Sequence, residues 1–325
     1  MAKKSKKILI TGGAGFIGSH LAEKLLSQGN EVFVIDNLST GSLKNIKHLR
    51  KNKKFHFIKG DILDKKTVEK EARKVDQIFH LAAAVGVKTV IEKPLESFLL
   101  NLKGTEIILE AASKYKLPIL ITSTSEVYGK NEKLPFKETD DRIYGSAYHN
   151  RWGYGLSKGG DEFLALAYYR EKNLKAVITR LFNVIGPRQT GAYGMVVPRF
   201  IKQALAGDPI TIYGDGYQSR CFGYIDDVVN ALIILLNSPK APGEIFNLGS
   251  DEEITIKDLA KKIIILTSSK SKITFIPHTK IFGPNFEDML HRRPDLSKIK
   301  QFLGYKPKYS LEDSLKKIIS FFNEK

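Results

Sequence analysis

The chain has 325 residues, more than one typical domain of about 100–200, so one large α/β unit with a smaller lobe is expected. Apolar residues make up 42% of it, which excludes the disordered class, and its longest apolar stretches, such as Ala231–Leu236, fall far short of the roughly 20 residues of a membrane span. The formal charge of +17 would suit nucleic acid, but the lysine clusters Lys3–Lys7 and Lys44–Lys54 lack interleaved aromatics and read as solvated surface around a site for a small anion.

The basic start Met1–Lys7 has no apolar signal-peptide core, and Lys7–Thr11 reads as a first strand. It runs into Thr11-Gly12-Gly13-Ala14-Gly15-Phe16-Ile17-Gly18, which opens a helix over Phe16–Gln28. Gly12 permits the tight turn, Gly15 lets the backbone approach a pyrophosphate, and Gly18 allows close helix–strand contact. Phe16 and Ile17 belong to the same cofactor loop. The next strand, Glu31–Ile35, ends at Asp36, whose carboxylate can bond both adenine-ribose hydroxyls and repel a 2′-phosphate. That points to NAD rather than NADP. Strands over Phe55–Lys59, Gln77–His80, Ile119–Thr122 and Ala176–Thr179 alternate with helices over Leu95–Tyr115 and Tyr154–Lys172. Such alternation predicts a doubly wound parallel sheet, a Rossmann-type α/β fold. After Arg180 the spacing turns irregular, with Gly186-Pro187, Gly207-Asp208-Pro209 and Gly214-Asp215-Gly216 as turn signals. The expected division is a dinucleotide domain over 1–181 and a smaller α/β substrate lobe over 182–325, with residues near 221–236 packing back on the first.

Two further segments carry chemistry. In Tyr154-Gly155-Leu156-Ser157-Lys158, one helical turn places Tyr154 and Lys158 on the same face. The ammonium and a bound cofactor's positive ring would favour tyrosinate, making Tyr154 a base for a sugar hydroxyl near neutral pH. Tyr168-Tyr169-Arg170-Glu171-Lys172 repeats the spacing but reads as helix surface. In Thr122-Ser123-Thr124-Ser125-Glu126-Val127-Tyr128-Gly129, at the carboxyl end of the fifth strand, a hydroxyl can share the proton with Tyr154. The seven histidines lack the paired spacing of a zinc site, so no metal is expected. A lone Cys221 excludes an internal disulfide framework, reads as a small core residue, and fits a reducing cytoplasm.

With Asp36-Asn37, Gly60-Asp61-Ile62, His80-Leu81-Ala82-Ala83, Asn101-Leu102-Lys103-Gly104-Thr105 and Arg180-Leu181-Phe182-Asn183-Val184-Ile185-Gly186-Pro187-Arg188, these motifs resemble the extended short-chain dehydrogenases/reductases over essentially the whole chain. That family contains the nucleotide-sugar epimerases, dehydratases and decarboxylases. The resemblance implies NAD as cofactor, held by Gly12, Gly15, Phe16, Ile17, Asp36, Asn37, Leu81, Ala82, Ala83, Asn101, Thr122, Tyr154 and Lys158, with Asp61 and Ile62 near the adenine. It also implies a UDP-sugar substrate contacted by Ser125, Asn183, Arg188, Tyr213, Arg220 and Arg292, and a homodimer formed through the two long helices.

The acid–base pair that 4,6-dehydratases use, Asp-Glu, is Ser125-Glu126 here, which disfavours dehydration. Thr-Ser-Glu-Val-Tyr-Gly, Arg151-Trp152 and His291-Arg292-Arg293-Pro294 resemble UDP-glucuronate decarboxylases, including UDP-xylose synthases. The implied catalytic set is Thr124, Glu126, Tyr154, Lys158 and Arg292, with Glu126 and Arg292 orienting the carboxylate that leaves as carbon dioxide. The alternative is a UDP-glucose or UDP-glucuronate 4-epimerase using the same C4 oxidation. A silent nucleotide-sensing regulator is disfavoured because Tyr154, Lys158 and Thr124 are all present, and a nucleic-acid module is weaker still.

Overall fold

The computed structural model describes residues 5–191, 194–283 and 287–324, so Lys3 and Lys4 of the N-terminal lysine cluster lie outside it. Seven parallel strands form the central sheet: β1 (Lys7–Thr11), β2 (Glu31–Asp36), β3 (Phe55–Lys59), β4 (Gln77–His80), β5 (Ile119–Thr124), β6 (Ala176–Leu181) and β7 (Ile245–Leu248). Their order is β7-β6-β5-β4-β1-β2-β3, so the winding reverses between β1 and β4. At that switch point the strand ends open a crevice for a ligand.

Strand alternation sorts the core into two layers. Ile8, Ile10, Val32 and Val34 point to one face, where they pack with α1 (Phe16–Ser27). Leu9, Phe33, Ile35 and Ile78 point to the other, against α2 (Pro94–Lys114) and α3 (Gly153–Lys172). Both faces are covered, which is why these strands read as continuous apolar runs rather than alternating ones. A truncation such as Ile10→Ala would cost about 2–5 kcal/mol at so enclosed a position. Pro94 starts α2 at a position whose N–H needs no partner, and Asn173, left-handed at φ +54°, ends α3.

After β6 the chain returns to the sheet twice. The helix α4 (Ile225–Asn237) packs beside α1, and β7 then pairs with β6 in parallel. The seventh strand therefore comes from beyond residue 181, and a single cut in the sequence does not separate the two units. The remaining chain has its own core, with Phe200, Ile201, Ile212, Leu259, Ile263 and Leu315 enclosed among three helices and a two-stranded parallel ribbon. A small sheet places Ser219–Cys221 between Glu253–Thr255 and His291–Arg292. Its parallel register sets Arg220 directly beside Arg292. Among the described residues no helix is long and apolar enough to cross a membrane.

Candidate functional site

A cavity of about 850 Å³ runs from the switch point to the second lobe. At its inner end Gly12 has φ +73°, and a Cβ there would lie 2.8 Å from the Ala82 nitrogen. A Cβ on Gly18 would strike the Gly12 carbonyl. Gly15 caps α1 without any side chain, so the helix's first N–H groups and its positive dipole end face the cavity at Phe16 and Ile17. The Asp36 carboxylate closes this end, accepting from Ala14 N at 2.9 Å and Leu38 N at 2.8 Å. Burial pushes its pKa up, backbone N–H donors including Gly15 oppose that, and the residue lines the cavity. A glycine cradle that no Cβ would fit, an uncapped helix start and a carboxylate acceptor match a nicotinamide dinucleotide without a 2′-phosphate.

Asn37, Ile62, Leu81, Ala82, Ala83 and Thr122 line the same cavity. Two residues expected there do not. Asp61 stands behind Asn37, whose Nδ2 donates to it at 2.9 Å. Asn101 is buried in the wall, accepting from Ala84 N at 2.8 Å and donating to Ser157 Oγ at 3.0 Å. It ties the loop after β4 to α3 and so shapes the cavity from outside.

The reacting groups meet where β5 ends. Thr124 caps the short turn that follows by accepting from Glu126 N at 3.2 Å, and its side chain also hydrogen-bonds Tyr154 in the first turn of α3. The turn and helix approach so closely that a Cβ on Gly155 would lie 2.5 Å from the Glu126 carbonyl. Glycine after Tyr154 therefore lets the phenol reach Thr124. Lys158, one turn on, lines the cavity but gives its ammonium to Asp161 Oδ2 at 2.7 Å. The sequence points to a tyrosinate favoured by that ammonium together with the positive ring of bound cofactor. In the protein alone burial pushes the phenol above its ordinary value, and Glu126 and Asp161 push the same way, outweighing Arg151 and Thr124. Glu126 was expected in the same catalytic set, whereas Asp161 was not.

Beside Tyr154 lies an ionic cluster. Arg151 pairs with Glu126 and reaches Asp288 at 3.5 Å. Arg292 Nη1 is 3.3 Å from Glu126, and Arg220 Nη2 is 3.0 Å from Asp288. Burial would raise both acids, but the guanidiniums outweigh it, lowering Glu126 and holding Asp288 at about 2. Three guanidiniums against two carboxylates leave one positive charge in a recess shielded from water. Arg151 and Asp288 were not among the expected site residues. Arg151 had a signal, standing just before Tyr154, whereas Asp288 sits in an irregular stretch with none.

Farther out, Asn183 donates to the Cys221 carbonyl at 3.3 Å, and Arg188 pairs with Glu23 of α1. Tyr213 lies under the Arg199 guanidinium, 3.9 Å from ring centroid to carbon. Arg188, Tyr213, Arg199, Phe321 and Phe322 all line the outer cavity, which suits a nucleoside diphosphate in charge and flatness. Ser125 faces the cavity from the turn after β5. Cys221 is enclosed, its thiol pushed up to about 12 by burial, so it is no nucleophile.

Known proteins share this framework. The family model described as GDP-mannose 4,6 dehydratase matches residues 9–318. The chain is 44% identical to the UDP-N-acetyl-alpha-D-glucosaminuronate decarboxylase of Bacillus cytotoxicus, over 98% of either protein. It is 38% identical to UDP-glucuronic acid decarboxylase 1 of Danio rerio, over 99% of this chain and 73% of that one. Among solved structures, UDP-glucuronic acid 4-epimerase from Bacillus cereus, in complex with UDP-glucuronic acid and NAD, superposes with a TM-score of 0.88 at 33% identity. That match covers 98% of this chain and 99% of the epimerase.

Proposed function

Because the chain belongs to the GDP-mannose 4,6-dehydratase family of extended short-chain dehydrogenases/reductases, we propose that it is an NAD-dependent decarboxylase of a UDP-hexuronate. The observation that carries this reading is the recess where Arg292, Arg151 and Glu126 meet beside Tyr154. Its net positive charge has no use for a neutral hexose. A hexuronate carboxylate would neutralise it next to the base that acts on C4. UDP-glucuronate, giving UDP-xylose, is the substrate of first choice. UDP-N-acetylglucosaminuronate differs only at C2 and carries the same carboxylate.

The residues divide the work. Tyr154, with Thr124, takes the C4 hydroxyl proton. NAD, which the glycine loop and Asp36 would hold, would supply the hydride acceptor for C4 and the hydride returned after decarboxylation. The C4 ketone so formed is β to the C6 carboxylate, so the C5–C6 bond breaks and its electron pair delocalises onto the ketone oxygen. Glu126 and Arg292 hold the departing carboxylate across that bond, and water or a neighbouring acid protonates C5. Asn183 and Arg188 support the diphosphate, while Arg220 belongs to the charged recess through Asp288.

The 33% identical epimerase, solved with UDP-glucuronic acid, favours one other reading, 4-epimerisation of the same hexuronate. Incubation with either UDP-hexuronate and NAD, followed by NMR, separates the two: a UDP-pentose with carbon dioxide supports decarboxylation, and a C4-inverted hexuronate overturns it. We also read the protein as a cytoplasmic homodimer, supported by its lone buried thiol and by exposed apolar side chains on α2 and α3.

A further inference from the structure

The mechanism above leaves one charge at the centre of the site without a role. Asp161 stands on α3 beyond Lys158, and their side chains are 1% and 2% exposed. One oxygen of Asp161 takes the Lys158 ammonium at 2.7 Å; the other, Oδ1, is buried, and the Thr105 hydroxyl is the further polar group at the carboxylate. An enclosed carboxylate held only by one ammonium and one hydroxyl is expensive to keep. An apolar residue would pack the same space at less cost.

Helical spacing aligns Tyr154, Lys158 and Asp161 along one face of α3. The other acids packed around them are already matched. Glu162 is bound by Arg180 and Arg142, and Glu126 by Arg151 and Arg292. His80 of β4 lies between Thr11 and Thr105, at 2.7 and 3.1 Å, and burial, with Lys158, lowers it to about 3, so it is neutral. Thr105 of α2 neighbours the Asp161 carboxylate itself. Asp161 is therefore the group that offsets Lys158.

We propose that Asp161 is a positioning residue that sets where Tyr154 ionises: by holding the Lys158 ammonium it cancels the charge that would otherwise stabilise tyrosinate, and so moves the onset of C4 oxidation to higher pH. This rests on Tyr154 being the base, which loss of turnover in Tyr154→Phe tests separately. Active Tyr154→Phe would remove that reading, whereas the ionisation of Tyr154 tests Asp161 alone.

The experiment is a carbon-13 titration of tyrosine Cζ in NAD-loaded protein without nucleotide sugar, with the Tyr154 signal assigned by its absence in Tyr154→Phe. In Asp161→Asn the Tyr154 midpoint should fall by about one unit, and the acid limb of kcat/KM should move with it. Asp161→Glu, which keeps the charge, should titrate like the wild type. Coincident midpoints in wild type and Asp161→Asn would overturn the proposal. If Asp161→Asn does not fold or load NAD, Asp161→Ser decides by the same reading: a lowered Tyr154 midpoint upholds the offset, and a midpoint coincident with the wild type overturns it.

Discussion

Arg292 donates from Nη1 to Glu126 Oε1 across 3.3 Å, though 166 positions separate the two in the chain. The contact bridges the turn after β5 and the small sheet of the second lobe, and it is closed on the other side by Arg151. A carboxylate held between two buried guanidiniums is a preformed seat for a second, exchanging carboxylate. Charge-assisted pairs of this kind are strong and geometrically exacting.

Glu126→Gln and Glu126→Ala should therefore separate the two halves of the reaction. C4 oxidation, which belongs to Tyr154, continues, while loss of carbon dioxide slows by about a hundredfold or more. A 4-keto-hexuronate should accumulate in the NMR time course. Arg292→Ala should show the same stall together with a raised KM. Turnover within a few-fold of wild type in all three variants would remove Glu126 and Arg292 from the chemistry and favour simple epimerisation.

Asp36 makes a second expectation concrete. Its carboxylate is fixed by two backbone N–H groups, so it cannot swing away from a 2′-phosphate. Like charges brought together there cost several kcal/mol, so NAD should bind more than about tenfold tighter than NADP. Asp36→Ala should narrow that ratio by weakening NAD and sparing NADP. Calorimetric titration of both cofactors reads it directly, and equal affinities in the wild type would refute the role.

His80 predicts a pH dependence of stability. Burial, and secondarily Lys158, depresses its folded pKa to about 3, below the ordinary 6.5. His20, lowered to about 4 by burial and Arg188, acts in the same direction. The unfolded chain therefore takes up these protons first. Stability is full above pH 6.5 and is lost as pH falls toward the folded values. At pH 5 the His80 contribution should be about 2 kcal/mol below its neutral value. His80→Gln cannot titrate, so it should be less stable at pH 7 yet show a shallower fall to pH 5. Urea unfolding at the two pH values tests this, and parallel losses in both proteins would exclude His80.

Much of this was legible in the sequence, and what was not has physical causes. Strand interiors such as residues 32–35 are apolar because both sheet faces are covered, so a short run bounded by turns marks them well. The glycine loop, Asp36 and Tyr154/Lys158 are local patterns tied to strand ends. β7 was missed because Ile245–Leu248 is brief and follows irregular chain, and only its pairing with β6 makes it a strand. Asp288 was missed for a related reason. Its role depends on meeting Arg220 and Arg151, a long-range encounter with no local spacing. Asp161 lies one turn beyond the Tyr154–Lys158 motif, and its helical spacing gives it that face, but only the fold shows the face to be enclosed.

The last expectation concerns assembly. α2 and α3 lie side by side over one face of the sheet, and their outward sides expose Leu95 at 72%, Leu156 at 50% and Phe163 at 69%. Between the helices runs a shallow groove lined by Leu102, Leu164 and Ala167 as well as Phe163. A contiguous apolar patch of this kind is uncommon on a monomer and is normally covered. A second copy meeting it about a two-fold axis would set α2 and α3 against their counterparts, with Lys103 and Glu106 of the groove available to pair across the axis. Light scattering at micromolar concentration should give a mass near twice that of the chain. Phe163→Glu places a charge at the centre of the patch and should weaken association by about thirtyfold or more. It should leave NAD affinity intact, since Phe163 is absent from the cavity lining. A wild-type monomer at that concentration would leave the apolar face without a partner and sink the dimer.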